Sequence, residues 1–164
     1  MTISNEYVPR PGDYGVVKTN GPLGKAIRVG TLSRWNHAVV YIGDGVIIEA
    51  RPTGVKFGSI KEYPNIAWNQ HEYSLTDEKR TQIVNFAIDQ IGKPYGYFDI
   101  FLIFFRILGL KLPPAKFWVK LARRQGYICS ELVAEAYGSA GYTLSGKPDA
   151  LVTPGDLAER LIYQ

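Results

Sequence analysis

The chain of 164 residues contains a single cysteine, Cys129, placed where a stretch with helical spacing begins. A thiol at a helix N-terminus faces the positive end of the helix dipole and unpaired backbone N–H groups, which favour the nucleophilic thiolate. Free cysteine is also among the most buried residue types, and a small apolar core residue is the more common role of a lone cysteine. Its position alone therefore does not establish a nucleophile, but it makes Cys129 the candidate.

Only two histidines could assist such a thiol. His37 opens a β-rich run, whereas His71 lies in a polar stretch and is expected to be exposed. An imidazole beside a thiol takes its proton, stabilises the thiolate and can protonate a leaving group. His37 is thus the candidate base, with a half-buried strand residue as the alternative interpretation.

Glu49 is the candidate third residue because it stands among apolar residues at the end of a predicted hairpin strand. A three-residue loop at Gly43-Asp44-Gly45 would place Glu49 opposite Val39, on the same face as His37. A two-residue loop would shift the pairing between the two strands by one residue and place Glu49 on the other face. In the first case Glu49 can orient the imidazole. In the second it is a surface carboxylate, and the sequence leaves both open.

The elements that would position these residues divide along the chain. Strands are predicted in the first half, and a short helix around 24–29 is ambiguous. Helices dominate the second half, with Thr76 and Thr153 as N-caps. This order predicts an α+β domain, an antiparallel sheet packed against helices. The predicted strands are 14–18, 36–42, 46–50, 54–57 and 66–73, and the predicted helices are 77–91, 129–140 and one from 154 onward.

Charge and residue composition argue against some classes of function. The net charge is +4 with mostly scattered basic residues, which does not indicate a nucleic-acid partner. Two histidines and one cysteine far apart do not give a zinc-site spacing, so neither a metal nor a cofactor is expected. The N-terminus lacks a basic region followed by an apolar run, and a lone cysteine fits a reducing compartment, so a cytoplasmic location is expected.

Several motifs together resemble a known superfamily. In the NlpC-type cell-wall peptidases, a G-x-P-Y element precedes a nucleophile helix that begins D-C-S-G-L-V. Here the histidine segment precedes the cysteine, an order that resembles the circularly permuted branch. That branch includes the YiiX-like hydrolases and is related to the lecithin:retinol-acyltransferase-like enzymes. The matching segments, which span about 11–158, are Pro11-Gly-Asp, Trp35-Asn-His-Ala-Val-Val-Tyr-Ile-Gly-Asp-Gly, Gly92-Lys-Pro-Tyr-Gly, Cys129-Ser-Glu-Leu-Val and Thr153-Pro-Gly-Asp.

The resemblance implies a papain-like fold with Cys129 as nucleophile, His37 as general base and Glu49 as the orienting residue. Tyr95 matches a family tyrosine near the nucleophile that could contact substrate or the oxyanion. Its alternative is an aromatic packing residue. Tyr127-Ile-Cys replaces the D-C pair, so a peptidoglycan substrate is not supported.

The whole chain, 1–164, is predicted to be one domain with an apolar helical insert at about 98–124. The insert fits a buried core helix, or an apolar lid for an acyl chain with peripheral membrane contact. The expected partner is a small-molecule, lipid or peptide substrate.

The leading hypothesis is a cysteine hydrolase that cleaves an amide or ester bond. The alternatives are an acyltransferase and a non-catalytic lipid- or peptide-binding module.

Overall fold

The computed structural model describes residues 7–70, 74–94 and 128–162. It is an α+β structure, as predicted, with a five-stranded antiparallel sheet in the order β4-β3-β2-β1-β5. The strands are β1 Tyr14–Val17, β2 His37–Gly43, β3 Val46–Arg51, β4 Gly54–Ser59 and β5 Ile66–Trp68. The helices are α1 Pro22–Thr31, α2 Asp77–Asp89, α3 Cys129–Ser139 and α4 Pro154–Ile162, with 3₁₀ turns at Ile60–Glu62 and Asp149–Leu151.

Two elements differ from the sequence prediction. The ambiguous segment after Gly21 is a full helix, α1, because Pro22 at its start has the backbone angle that a first helical turn needs. β5 ends at Trp68 and is shorter than predicted, and residues 71–73 lie outside the described part of the chain.

The sheet has an apolar cluster on each face. On one face, side chains of β1, β2 and β3 pack against α2, α3 and α4 in the main core. On the other, Val39, Tyr41 and Ile47 pack with Ile60, Tyr63 and Trp68. Because side chains alternate along a strand, His37 and Glu49 belong to the second face and Cys129 to the helix layer. The site therefore forms where the start of β2 meets the start of α3.

The hairpin between β2 and β3 decides where Glu49 points. Its turn is the two-residue Asp44-Gly45, with φ of 51° and 75°, the left-handed pair that a tight hairpin needs. A bulge between Tyr41 and Gly43 then shifts the register by one residue, so that Val40 pairs with Ile48. The expectation that a two-residue loop turns Glu49 away from His37 was wrong. The bulge shifts the strand pairing by one residue, which returns Glu49 to the face of the sheet that carries His37.

The helices begin at the predicted caps. The Thr76 hydroxyl accepts a hydrogen bond from Lys79 N, and the Thr153 hydroxyl accepts one from Asp156 N. Within the described residues, no helix is both long enough and apolar enough to cross a bilayer.

Candidate active site

Cys129 is the first residue of α3 and is buried. The first hydrogen bond of the helix runs from Leu132 N to Ile128 O, so the N–H of Cys129 precedes the regular helical ladder. Ser130 donates a hydrogen bond to Val152 O at 2.5 Å, which fixes this end of the helix against the segment before α4. The sequence prediction of a thiol at a helix N-terminus is confirmed.

His37 is the first residue of β2 and is also buried. The preceding residue, Asn36, is clamped to Thr19 by hydrogen bonds of 2.7 and 2.8 Å. His37 Nε2 lies 2.6 Å from Glu49 Oε2. The ring also lies close enough to Cys129 for the thiol to influence its pKa. Since Nε2 is engaged by Glu49, Nδ1 is the ring nitrogen that remains for proton exchange with the sulfur.

The protonation of His37 follows from these neighbours. Burial alone would lower the pKa of the imidazole, but the interaction with Cys129 and the hydrogen bond that the ring donates to Glu49 outweigh it. The pKa of His37 is raised to about 9. The ring is therefore an imidazolium at neutral pH, the form that stabilises a neighbouring thiolate.

Glu49 is fully buried, yet it is an anion. Burial would raise its pKa, but hydrogen bonds and charge from His37, Tyr63 and Arg51 lower the pKa to about 2. The Tyr63 hydroxyl donates to Oε2 at 2.5 Å, and Arg51 Nε lies 2.7 Å from Oε1. Oε1 accepts no well-aligned hydrogen bond among the described residues, so its contact with Arg51 is chiefly electrostatic.

Arg51 and Tyr63 were not anticipated from the sequence. Arg51 Nη2 donates to the Tyr63 hydroxyl at 2.8 Å and pairs with Glu62 at 2.6 Å. Arg51 stands two residues after Glu49 on one strand, so period-two alternation was a usable signal for it. Tyr63 follows a 3₁₀ turn after β4, and nothing local in the sequence links it to Glu49.

A cavity of about 490 Å³ opens beside His37. One wall is the chain from the end of β1 into α1, and the other is formed by the end of β3 and the segment after the 3₁₀ turn. The cavity is large enough for part of a substrate next to the imidazole. Its lining includes Lys18, Thr19, Ile27, Ala50, Arg51 and Tyr63.

The remaining predicted features lie outside the described residues. These are Tyr95, His71 and the apolar insert at about 98–124.

The described elements, with the histidine strand before the cysteine helix, have the fold of a solved YiiX structure. The crystal structure of YiiX from Escherichia coli O157:H7 superimposes with a TM-score of 0.63, at 18% identity, over 94% of this chain and 83% of that one. The resemblance to this branch, predicted from sequence motifs, is confirmed, and so is the fold class.

The chain is also similar to a curated protein, the "Probable lipoprotein peptidase YaeF" of Escherichia coli K12. The two are 25% identical over 170 residues, which cover 90% of this chain. The chain spans about 62% of the length of that relative. No family model matches the sequence.

YiiX is described as a metalloprotein, which raises the question of a metal here. Across the described ranges, no group of three or more His, Cys, Asp or Glu side chains could hold a metal ion. Nε2 of His37 is also engaged by Glu49. The described residues of this chain therefore do not fit a metal centre of that kind.

Proposed function

We propose that this chain is a papain-like cysteine hydrolase that cleaves an amide or ester bond through an acyl-enzyme. The observation that carries the proposal is the buried His37 ring, bonded to the carboxylate of Glu49 and close enough to Cys129 for the thiol to influence its pKa. A nucleophile, a base and a group that orients the base are the three parts of covalent acyl-transfer chemistry.

In the first half-reaction the Cys129 thiolate attacks the carbonyl carbon of the substrate and forms a carbon–sulfur bond. The carbonyl oxygen becomes an oxyanion, which the backbone N–H of Cys129 at the start of α3 stabilises. The oxyanion then reforms the carbonyl double bond, and the bond to the leaving group breaks. His37 gives its proton to that leaving amine or alcohol. In this proposal Tyr95 adds a second contact to substrate or oxyanion.

In the second half-reaction a water molecule attacks the thioester. The neutral His37 accepts a proton from the water, and the Cys129 thiolate leaves as the carboxylic acid forms. Glu49 neither gains nor loses a proton in either half-reaction, because its role is to orient His37 and to stabilise the imidazolium.

The substrate in this proposal carries an acyl group that enters the cavity beside His37. Ile27 and Ala50 give that cavity apolar surface, and Thr19 and Lys18 give it polar surface. The name of the relative YaeF favours an amide bond in a peptide as the cleaved bond. The insert at 98–124 is proposed to contact the acyl portion, within a single domain that covers the whole chain.

The decisive measurement is the alkylation of Cys129 by iodoacetamide, since only the thiolate reacts and the chain has one cysteine. We expect wild-type protein at pH 6 to react at least about tenfold faster than a free thiol, because the imidazolium favours the thiolate. His37→Ala should remove this excess. His71→Ala, which removes the other histidine, should leave it unchanged.

Acylation is tested with p-nitrophenyl acetate. We expect a burst of nitrophenolate and an acetyl group on Cys129 by mass spectrometry, followed by its loss to water. Ordinary thiol reactivity with no acetylation would contradict the hydrolase and support the binding module. An acetyl group that leaves only when an amine or alcohol is added would instead support the acyltransferase.

A further inference from the structure

The carboxylate of Glu49 has no contact with solvent, and its two oxygens are held by different groups. Oε2 lies between His37 Nε2 at 2.6 Å and the Tyr63 hydroxyl at 2.5 Å. Oε1 lies 2.7 Å from Arg51 Nε. A buried carboxylate without such partners takes up a proton, because burial penalises the charged form. The charge of Glu49 therefore depends on side chains outside the proposed triad.

Positive and negative side chains alternate across the site. Arg51 is positive, Glu49 negative and His37 positive, and Cys129 lies beyond His37. Glu62 lies on the far side of Arg51, at 2.6 Å, and fixes the guanidinium in place. Each buried charge thus has an opposite charge as its neighbour, which is the condition for keeping it ionised.

The surrounding backbone leaves room for this carboxylate. Gly58 of β4 lies beside Glu49, and a Cβ at that position would stand 2.4 Å from Oε1. Lys56 pairs with Glu49 across β3 and β4, but it is exposed and makes no described contact with the carboxylate. The groups that face Glu49 with a polar atom are therefore His37, Arg51 and Tyr63.

We propose that Arg51 and Tyr63 are positioning residues, which hold Glu49 as an ionised carboxylate directed at His37. In this way they keep Cys129 reactive at mildly acidic pH. This inference rests on the proposed function, since it assigns the second layer of the same site. Tyr63 acts through its hydroxyl and Arg51 through its charge. Neither has to touch the substrate.

The test is the pH profile of Cys129 alkylation in folded variants, with folding checked by circular dichroism. In Tyr63→Phe the carboxylate loses a donor, takes up a proton in mild acid, and no longer supports the imidazolium. We expect the alkylation rate at pH 5 to fall about 3- to 10-fold relative to wild type, with little change at pH 7.5. Arg51→Met should act in the same direction, and Arg51→Lys should restore part of the rate at pH 5.

Two controls separate positioning from general damage. Tyr41→Phe removes a hydroxyl from the same face of the sheet, where it accepts only from Gly45 N among the described contacts, and should leave the profile unchanged. In a Glu49→Gln background, Tyr63→Phe should change the rate by less than about 1.5-fold, because the group through which it acts is gone.

The outcomes distinguish this inference from the proposed function. If wild-type Cys129 reacts as an ordinary thiol, the proposed function fails and this inference fails with it. In a second outcome, His37→Ala abolishes the excess alkylation rate of Cys129, while Tyr63→Phe and Arg51→Met keep the wild-type pH dependence of that rate. The proposed function then stands and the positioning role is overturned. An equal effect of Tyr63→Phe with Glu49 and with Gln at position 49 would also overturn it.

Discussion

At the scale of single residues, the site is a balance between burial and charge. His37 and Glu49 are both buried, which by itself disfavours the ionised form of each. Cys129 together with Glu49 raises the pKa of His37, and His37 together with Tyr63 and Arg51 lowers that of Glu49. Breaking such a pair is costly because the remaining charge stays buried without compensation. This coupling makes the pair sensitive to pH as well as to substitution.

The acid stability of the protein should report this coupling. The pKa of Glu49 is lowered from 4.5 to about 2, so its contribution to stability is present above pH 4.5 and is lost as the pH falls toward 2. Glu49→Gln has no such proton to bind. We expect the wild type to lose up to about 3 kcal/mol more than Glu49→Gln between pH 6 and pH 2.5. The measurement is urea unfolding at each pH.

Other carboxylates lie outside this comparison. Asp156 and Glu62 also have lowered pKa values, but they are present in both proteins and cancel in the difference between them. Parallel curves of unfolding free energy against pH for the two proteins would contradict an ionised Glu49 in the native state.

At the scale of elements, the β2–β3 hairpin fixes which side chains meet. The tight turn at Asp44-Gly45 alone would face Glu49 away from His37, and the bulge next to Gly43 corrects this. Gly43 has φ of 112°, a region that favours glycine, and a Cβ there would stand 3.5 Å from Pro11 Cγ. The cost of a side chain at Gly43 is therefore backbone strain rather than a clash.

Substitution of this glycine should affect stability and site together. We expect Gly43→Ala to lower the free energy of unfolding by about 1–2 kcal/mol and to reduce the excess alkylation of Cys129 at pH 6, since the register of Glu49 depends on the bulge. The matched control is Gly138→Ala in α3, where nothing lies within 4 Å of the added methyl group. That helical change should stabilise by about 0.5–1 kcal/mol. Equal effects of the two substitutions on stability would refute the argument from backbone strain.

At the scale of the whole molecule, the site exists because a helix and a sheet are held in one relative position. The Tyr137 hydroxyl of α3 donates to Gly12 O at 2.8 Å and accepts from Asn69 Nδ2 at 2.6 Å. Asn69 in turn accepts from Tyr14 N at 2.9 Å, at the start of β1. This buried chain of hydrogen bonds joins the cysteine helix to the sheet that carries the histidine.

Removal of one hydroxyl from this chain should therefore be costly. We expect Tyr137→Phe to lower the free energy of unfolding by about 1–3 kcal/mol, because the buried Asn69 amide loses its acceptor while the ring contacts remain. In an Asn69→Ala background the same change should cost less. The four proteins of this cycle are compared by urea unfolding. A cost of Tyr137→Phe that is independent of Asn69 would contradict the proposed link.

The sequence alone determined the local elements and the identities of the candidate residues. Thr76 and Thr153 cap their helices, the β-rich runs pair as a hairpin, and Cys129 begins a helix, because capping, periodicity and turn chemistry act over a few residues. With a single cysteine and two histidines in the chain, the amino-acid composition also restricts the thiol–imidazole pair to very few combinations.

The tertiary structure alone decided which of these residues meet and with what charge. The bulge set the face of Glu49, and the segment after β4 brought Tyr63 to its carboxylate. Register and long-range contacts depend on the packing of whole layers, which local preferences do not encode. Ionisation depends on burial and on the summed field of neighbours, so the charged state of His37 and Glu49 follows only from the folded arrangement.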